Sequence, residues 1–423
     1  MPGMHAVHKM LARCARPQRS SVTPGEYLEI EPDVFSVIVS FNPTEIERLQ
    51  EDLAELGVRE LPIRDKIFAF SDHGSPAPSA SAATGHKRWR DFYRAHGVEI
   101  ADGGAGISHL VTAERGIVCP GTVVINKDSH APTVGAIGAF GTSLGGGRLT
   151  LYAIGRYFIE VPRVTLVRVE GTPRKGVFGR DVALHVNGTL GQRGALGNTV
   201  EFTGSYVRSL SMDMRFTLCN MAPEIGAVAS YIQPDATTLE WTGKRARKPY
   251  TVFETDGDFE YDKTYDIDVA NIEPQVAAPH ANDNVKGVSE VEGRRIDQAY
   301  LGSCASGRLE DMATAAAVFR GRKVHPDVRF IVTPGSREVL MAATKMGYIE
   351  VMHEANAIVT NANCGACPGL HGGILAPGEV AITSITRNTN GRMGRGAEIY
   401  LASPATVAAS AVAGCITSPL KYL

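Results

Sequence analysis

Short runs of β-branched and aromatic residues alternate along the chain with polar turns and helix-like stretches. The clearest predicted strands are IFAF at 67–70, TVVIN at 122–126, QAYLG at 298–302, AIVTNA at 357–362 and AITS at 381–384. Polar residues and then a helical pattern follow each run, which is typical of a sheet with parallel strands and crossover helices. The pattern therefore predicts an α/β fold.

Chemically reactive side chains stand directly after these predicted strands. They are Asp72 and His73, then Asp128, Ser129 and His130, then Cys304, Cys364 and Arg387. In open α/β sheets the carboxyl ends of the strands form the crevice where ligands bind, and the following helices point their positive ends into it. One such loop would be an ordinary polar loop, but five together predict a shared site for an anionic ligand.

A change in composition divides the chain. Residues 272–293 read IEPQVAAPHANDNVKGVSEVEG, with several turn-forming residues and few large apolar ones. We therefore predict a linker here, with two α/β subdomains over residues 1–285 and a third over 286–423. A further segment, GAIGAFG at 135–141, resembles a dinucleotide loop only weakly, and its small residues favour close helix-to-sheet packing.

The composition excludes several classes of protein. The 423 residues carry a formal net charge of -2, so no basic field attracts nucleic acid. No window approaches the roughly 18 to 20 apolar residues of a membrane span, and the amino end lacks an apolar signal core. We therefore expect a soluble cytoplasmic protein with neither a nucleic-acid nor a membrane partner.

The arginine-rich amino end leaves one alternative open. Arginine stands at positions 13, 16 and 19, and no acidic residue precedes Glu26. Transit peptides share this composition. The apolar pair at 10–11 beside polar positions fits a folded first helix equally well.

The cysteines indicate a metal site rather than disulfides. Seven cysteines are an odd number in a chain without an export signal. Cys364 and Cys367 form a CxxC, which alone is compatible with redox, zinc or iron–sulfur roles. Cys304, on another predicted strand end, adds a third thiolate with no obvious fourth. Four ligands close a structural zinc site, whereas three on a cubane cluster leave one iron open.

Three segments around these residues resemble the signatures of the aconitase superfamily. They are GSCASGRLEDM (302–312), NCGACPG (363–369) and TRNTNGRMGRG (386–396), and DH (72–73), GISH (106–109), DSH (128–130) and NMAPEIGA (220–227) add to them. The resemblance spans nearly the whole chain and is nearest to the large subunit of 3-isopropylmalate dehydratase. It implies an aconitase-like iron–sulfur domain built of several α/β/α subdomains.

The resemblance also implies a two-subunit enzyme. The chain ends shortly after ASPATVAASAVAGC (402–415), where single-chain aconitases continue into a swivel domain. We therefore expect the swivel domain to be absent here and to form a separate small subunit, which in the family carries the serine base. The large subunit alone is then expected to be nearly inert.

By resemblance, Cys304, Cys364 and Cys367 ligate a [4Fe–4S] cluster whose open iron binds the substrate's hydroxyl. His73, oriented by its neighbour Asp72 or by a partner across the site, then protonates the departing hydroxyl. The family positions that hydrogen-bond the bound water or substrate correspond to His109, Asp128, Ser129 and His130. Arg387 and Arg392 correspond to its carboxylate-binding arginines. Asn220 and Glu224, four apart on one face of a predicted helix, are expected to reach the cluster together.

The departures from the family pattern surround the expected pocket. Ala305 and Ser306 stand where Thr-Asn is usual, Thr386 replaces an Asn, and Thr389 replaces a Phe. The substrate therefore stays open among isopropylmalate, methylmalate (citraconate), dimethylmalate, maleate and homoaconitate-type acids. A cluster-sensing RNA binder and a zinc or thiol-redox protein are alternatives of other classes.

Overall fold

The structure is a computed structural model and describes residues 3–423. The strands are β1 (Tyr27–Ile30), β2 (Val34–Ile38), β3 (Ile67–Phe70), β4 (Glu99–Ala101), β5 (Val123–Asn126), β6 (Phe140–Ser143), β7 (Tyr157–Glu160), β8 (Val164–Glu170), β9 (Thr199–Thr203), β10 (Ala229–Tyr231), β11 (Lys263–Asp268), β12 (Gln275–Ala277), β13 (Val285–Gly287), β14 (Gln298–Gly302), β15 (Arg329–Thr333), β16 (Ile358–Val359), β17 (Val380–Thr383) and β18 (Glu398–Ala402). The α-helices are α1 (Ala6–Cys14), α2 (Pro43–Glu55), α3 (Ala80–Ala95), α4 (Ser108–Glu114), α5 (Arg148–Ile154), α6 (Gly179–Leu190), α7 (Ser205–Ser209), α8 (Met212–Asn220), α9 (Ala236–Gly243), α10 (Ser303–Ser306), α11 (Leu309–Phe319), α12 (Arg337–Lys345), α13 (Tyr348–Glu354) and α14 (Pro404–Ala413).

Three sheets organise these elements. The first has the order β4-β3-β2-β5-β6 and the second β10-β9-β8-β11, and all neighbouring strands in both are parallel. The third has the order β13-β12-β18-β17-β14-β15-β16, in which β12 runs antiparallel to both of its neighbours and the other pairs are parallel. Strands β1 and β7 form a separate antiparallel ribbon. The predicted α/β class is confirmed.

The strands expected from the sequence are present. Two of them, β3 and β14, have the predicted bounds, and β5 and β17 differ by one residue. The fourth predicted run, 357–362, shortens to Ile358 and Val359, because β16 is an edge strand that pairs only with β15. Parallel strands place their following loops at one edge of a sheet.

The prediction of a linker at 272–293 is wrong at 275–277 and 285–287, where the structure has strands β12 and β13. Strand β12 pairs with β18, and β13 then pairs with β12, so this segment forms an edge hairpin of the third sheet. Both strands are three residues long, and β12 depends on pairing with β18, which is distant in sequence and which local turn signals do not reveal. The division of the chain near residue 285 stays a prediction, and in terms of sheets the third unit begins at Gln275.

One continuous apolar core joins the three sheets. It includes Val124 from the first sheet, Val167 from the second and Ile331 from the third, all nearly inaccessible to solvent. Further cores lie within the first and third units. Helix α1 packs into the first-unit core through Met10 and Leu11, as expected for a folded first helix. Among residues 3–423, no helix is long and apolar enough to span a membrane.

The glycines of GAIGAFG lie where two backbones approach closely. A β carbon on Gly135 would stand 2.1 Å from the carbonyl oxygen of Ser230, and one on Gly141 would stand 2.4 Å from that of Ala131. Gly138 ends the 3-10 turn 131–137 with φ of 72°, in the left-handed region. The close-packing interpretation of this segment therefore holds.

We expect Gly135→Ala to lower the free energy of unfolding by about 1–3 kcal/mol, because the blocking atom is a backbone oxygen that cannot rotate away. Denaturant unfolding followed by circular dichroism measures the change. Gly146→Ala is the matched control, since a β carbon at Gly146 would meet no atom within 4 Å. Equal unfolding midpoints for the two variants would contradict the steric argument.

Candidate active site

The predicted site residues converge on the carboxyl ends of strands in two sheets. The loop after β3 carries Asp72 and His73, and the loop after β5 carries Asp128 through His130. In the third sheet, the loops after β14, β16 and β17 carry Cys304, the CxxC and Arg387. The second unit contributes Asn220 and Glu224.

The expectation that Asn220 and Glu224 share one helix is wrong. Helix α8 ends at Asn220, and Glu224 lies on a separate 3-10 turn, Ala222–Ile225. Pro223 lacks the backbone N–H that a continuing helix requires, and Gly226 adopts φ of 87° after the turn. The two side chains nevertheless both reach the site, with different partners.

Asp72 holds His73 from one side. Nδ1 of His73 lies 2.8 Å from Oδ1 of Asp72, and the backbone N–H of Ser108 donates to Oδ2 of Asp72 at 2.9 Å. Nε2 of His73 lies 3.5 Å from Oδ2 of Asp128. Burial lowers the pKa of His73, but Asp72 and Asp128 outweigh burial and raise this pKa to about 9. The imidazole therefore holds a proton at neutral pH.

Asp128 is the anion around which three histidines gather. Its Oδ1 accepts from the backbone N–H of His130 at 2.7 Å and lies 3.9 Å from Nδ1 of His109. Burial raises the pKa of Asp128, but the hydrogen bond from His130 and the nearby imidazoles outweigh it and hold the pKa well below the usual range. Burial lowers the pKa of His109 to about 4, so this ring is neutral while His73 is charged.

Glu224 links His130 to Arg387. Its Oε1 lies 3.1 Å from Nε2 of His130 and 2.9 Å from Nε of Arg387. Asn282 donates to the second oxygen, Oε2. Burial raises the pKa of Glu224, but the hydrogen bond from His130 and the charge of Arg387 outweigh burial and lower it. Arg387 also donates to the hydroxyl of Ser129 at 3.1 Å, which joins two loops.

The three predicted thiol ligands are buried and free of disulfides. Sγ of Cys304 lies 3.6 Å from Oδ1 of Asn220, and Sγ of Cys364 lies 3.8 Å from Nδ1 of His73. Arg392 donates from Nη2 to Sγ of Cys367 at 3.4 Å. Each thiol is therefore in contact with another predicted site residue.

The three sulfurs lie within electrostatic reach of one another. Burial, and then the neighbouring Cys367, raise the pKa of Cys304 to about 12, and burial raises the pKa of Cys364 well above its usual value, with Cys304 and Cys367 adding to the rise. Burial also raises the pKa of Cys367, but Arg392 outweighs it and lowers this pKa. Cys304 and Cys364 also pack in one small apolar cluster with Ile107 and Leu110.

This donor set fits an iron–sulfur cluster. Two loops supply three reduced thiols, which is one ligand fewer than a closed metal site needs. Within residues 3–423, both ring nitrogens of His109 and the hydroxyl of Ser303 are buried with no hydrogen-bond partner. Orphaned buried polar atoms are expected where a bound group supplies the missing partners.

A smaller donor group lies inside the same site. Asp72, His73 and Cys364 each offer one ligand atom, and these atoms lie within 4.8 Å of one another. Both carboxylate oxygens of Asp72 already have partners, His73 and Ser108. Iron and sulfide analysis against zinc analysis distinguishes a cluster from the zinc alternative.

Two residues near the site were missed by the sequence analysis. Arg180, at the start of α6, is fully buried and donates to the carbonyl of Ile385 at 2.6 Å, and burial lowers its pKa to about 10. The local pattern offered little signal, because Arg180 stands beside Asp181 at the start of a helix whose buried residues also include Asn187. Asn282 gave no signal, because it stands in the segment that was predicted to be a linker.

The positions that depart from the family pattern differ in their surroundings. Ala305, Ser306 and Thr386 are buried, and the hydroxyl of Thr386 lies 3.9 Å from Sγ of Cys367. Thr389 is exposed. The departures from the family pattern therefore include buried positions near the thiols and one exposed position.

Comparison with known proteins identifies related chains along the full length. The sequence model of the aconitase family (aconitate hydratase) matches residues 80–292 and 284–414. The 3-isopropylmalate dehydratase large subunit 1 of Methanopyrus kandleri is 42% identical over 100% of both chains. The probable methanogen homoaconitase large subunit of Methanothermobacter thermautotrophicus is 41% identical over 99% of this chain and 98% of its own.

Further similarities are found in a bacterial relative and in a solved structure. The 3-isopropylmalate dehydratase large subunit of Thermodesulfovibrio yellowstonii is 39% identical over 99% of each chain. The crystal structure of Thermococcus kodakaraensis aconitase X in its holo-form covers 85% of this chain and 84% of its own, with 14% identity and a TM-score of 0.49.

Histidines, free thiols and arginines that meet at these strand ends suit an enzyme that adds water to, or removes it from, a carboxylic acid. That chemistry defines a hydro-lyase. The chain belongs to the aconitase family, and it is a hydro-lyase of that family.

Proposed function

We propose that this chain is the large subunit of a two-subunit, [4Fe–4S]-dependent hydro-lyase acting on a small 2-hydroxy di- or tricarboxylic acid. The observation that carries the proposal is the placement of three free thiols, from two loops, in contact with His73, Asn220 and Arg392. When bound to Cys304, Cys364 and Cys367, the cluster supplies an open iron that acts as a Lewis acid toward the substrate's hydroxyl.

The chain's own residues divide the remaining work. His73 holds a proton at neutral pH and delivers it to the departing hydroxyl, with Asp72 fixing the ring. Asp128 sets the position of His73 and His130 through its two oxygens. His109, which is neutral and makes no hydrogen bond within the described residues, is available to hydrogen-bond the water or substrate.

Arg387 and Arg392 are proposed to bind the substrate's carboxylates. Guanidinium groups suit this role because their planar donors can grip two oxygens in a fixed geometry. Arg387 is held by Glu224 and Ser129, and its side chain is 27% exposed, so part of its donor set can face a ligand. Arg392 donates to Cys367, and within residues 3–423 its Nε is buried with no hydrogen-bond partner, so this donor is available to a ligand.

We further propose a small subunit that carries the catalytic base. The proposal is supported by the relatives named large subunits, which match this chain over nearly their whole length. A base for the C–H proton is the remaining requirement of the reaction. A reducing compartment, and so the cytoplasm, is supported by the free thiols, which include the CxxC pair.

The substrate proposed first is an isopropylmalate-like acid. A homoaconitate-type acid is the second candidate. The relative named as a 3-isopropylmalate dehydratase is 42% identical to this chain and the one named as a homoaconitase is 41% identical, so identity does not distinguish the two substrates. Methylmalate, dimethylmalate and maleate remain in the set, since the departures at Ala305, Ser306 and Thr386 lie beside the thiols. One unpaired polar group in such a pocket can change preference by orders of magnitude.

The test is anaerobic reconstitution of the chain co-expressed with the neighbouring small-subunit gene. We expect broad brown absorbance near about 400 nm, iron and sulfide on analysis, and turnover of at least one hydroxy diacid by absorbance of the unsaturated product. The large chain alone is expected to be nearly inert. A colourless preparation that still dehydrates these acids would disprove the cluster, and zinc without sulfide would favour the zinc alternative.

A further inference from the structure

We propose that Asn282, on the loop between β12 and β13, is a positioning residue that fixes Glu224 and through it the substrate-binding orientation of Arg387. This inference rests on the proposed function, since it concerns the same site. It gives residues 278–284, here called the hairpin loop, a role in the wall of the active site.

The hairpin loop is held in place without the side chain of Asn282. The backbone N–H of Ala278 donates to the carbonyl of Asn284 at 2.8 Å, and Nδ2 of Asn284 donates to the carbonyl of Pro279 at 3.2 Å. From outside the loop, Nδ2 of Asn388 donates to the carbonyl of Ala278 at 2.8 Å. The loop conformation is therefore satisfied by other groups.

A second unit anchors the far side of the loop. The side-chain amide of Gln192 donates to Oδ1 of Asp283 at 2.8 Å. Asn282 thus stands between two anchored points, and its amide donates across 58 residues of sequence to Oε2 of Glu224. The side chain of Asn282 therefore contacts the active site and does not stabilise the hairpin loop.

The side-chain nitrogen of Asn282 makes this contact, whereas the side-chain oxygen makes no hydrogen bond within the described residues. Asn282 is 7% exposed, and within residues 3–423 its Oδ1 is buried with no hydrogen-bond partner. Burying an amide with half of its capacity unused is unfavourable, so a leucine or alanine would be the simpler residue for a packing role. The contact with Glu224 is the feature that an apolar residue could not reproduce.

The consequence of losing the contact falls on Arg387 more than on His130. His130 is also held by Asp128, whereas the described contacts of Arg387 are with Glu224 and Ser129. If Glu224 turns away from its present position, the guanidinium loses its main orienting partner. Substrate binding should therefore weaken while the proton transfer through His73 is kept.

The test compares Asn282→Ala with Asn284→Ala in the reconstituted two-subunit enzyme. We expect Asn282→Ala to raise KM about tenfold with kcat changed less than about twofold, because a small displacement of a positioning group weakens the bound geometry. Asn284→Ala is the matched control. Among residues 3–423 its side-chain amide donates to the carbonyl of Pro279 within the hairpin loop, and with Asn388 and Gln192 still holding the loop the variant should leave KM unchanged. Adding Asn282→Ala to Glu224→Gln should raise KM no further, because both changes act on one contact.

Cluster absorbance and thermal unfolding of each variant accompany the kinetics. A fall in the unfolding temperature with KM and kcat unchanged would show a structural role only and overturn the inference, as would equal KM values for Asn282→Ala and the wild type. Absence of turnover in the wild-type complex with every acid would instead count against the proposed function. A tenfold KM effect that disappears in the Glu224→Gln background supports the inference.

Discussion

Replacing Cys367 by Ser should abolish turnover of every hydroxy acid and remove the absorbance near about 400 nm from the reconstituted enzyme. Cys367 is the thiol with the lowered pKa, because Arg392 donates to it, so it is the best-prepared thiolate of the three. A serine hydroxyl retains the size but not the affinity for iron. With several kcal/mol of Lewis-acid stabilisation lost, kcat should fall by about a thousandfold or more.

Cys119→Ser is the control for this substitution. Cys119 is also buried, but its sulfur lies 3.7 Å from the carbonyl of Gly116, outside the site. It should keep both the absorbance and the activity. Iron and sulfide analysis, the visible spectrum and initial rates are measured on both variants. Full cluster content and turnover in Cys367→Ser would remove the central claim of the proposed function.

The second large effect is expected at Asp128. Asp128→Asn keeps an oxygen that can accept from the backbone N–H of His130, so the loop should fold, but it removes the negative charge near three imidazoles. Without that charge the pKa of His73 falls, although Asp72 still raises it, and His73 and His130 lose a partner that orients them. Because misplacement of the proton donor is the larger effect, we expect kcat to drop by about a hundredfold.

A buried aspartate elsewhere provides the comparison for Asp128→Asn. Asp181 accepts from the backbone N–H groups of Phe178 and Gln275, and burial raises its pKa to about 7. Asp181→Asn should lower stability, because its amide offers one oxygen where the carboxylate accepts from two N–H groups, but it should leave kcat within about twofold of wild type. The two variants are compared by initial rates across pH and by thermal unfolding. A kcat for Asp128→Asn equal to that of Asp181→Asn would contradict the proposed role.

The strand-end rule explains why the sequence placed so many site residues in the correct region. Runs such as IFAF and QAYLG are short, apolar and bounded by polar residues, so local propensity and burial favour the same structure. Once strands are parallel, their following loops must lie at one edge. Cys304 and Arg387 therefore lie at one edge of the third sheet. Asp72 comes from the first sheet and reaches that edge through contacts between the units, such as the backbone N–H of Cys364 donating to the carbonyl of Asp72 at 3.0 Å.

What the sequence could not reveal depends on tertiary pairing. The hairpin that carries Asn282 has two three-residue strands, and it forms because β18 provides an edge for β12. The separation of Asn220 from Glu224 depends on a proline within a turn whose helical spacing suggested a continuous helix. In both cases the local pattern was ambiguous, and packing decided the outcome.

The shared core of the three sheets also bears on how this enzyme should fail under heat or denaturant. The segments carrying Asp128, Glu224 and Cys304 belong to different units, and their spacing depends on the shared apolar core to which Val124, Val167 and Ile331 belong. A slight loosening of that junction separates the loops while each sheet keeps its internal hydrogen bonds. Enzyme activity should consequently be lost at a lower temperature or denaturant concentration than the helical circular dichroism signal. Activity therefore reports loosening between the units earlier than spectroscopy does.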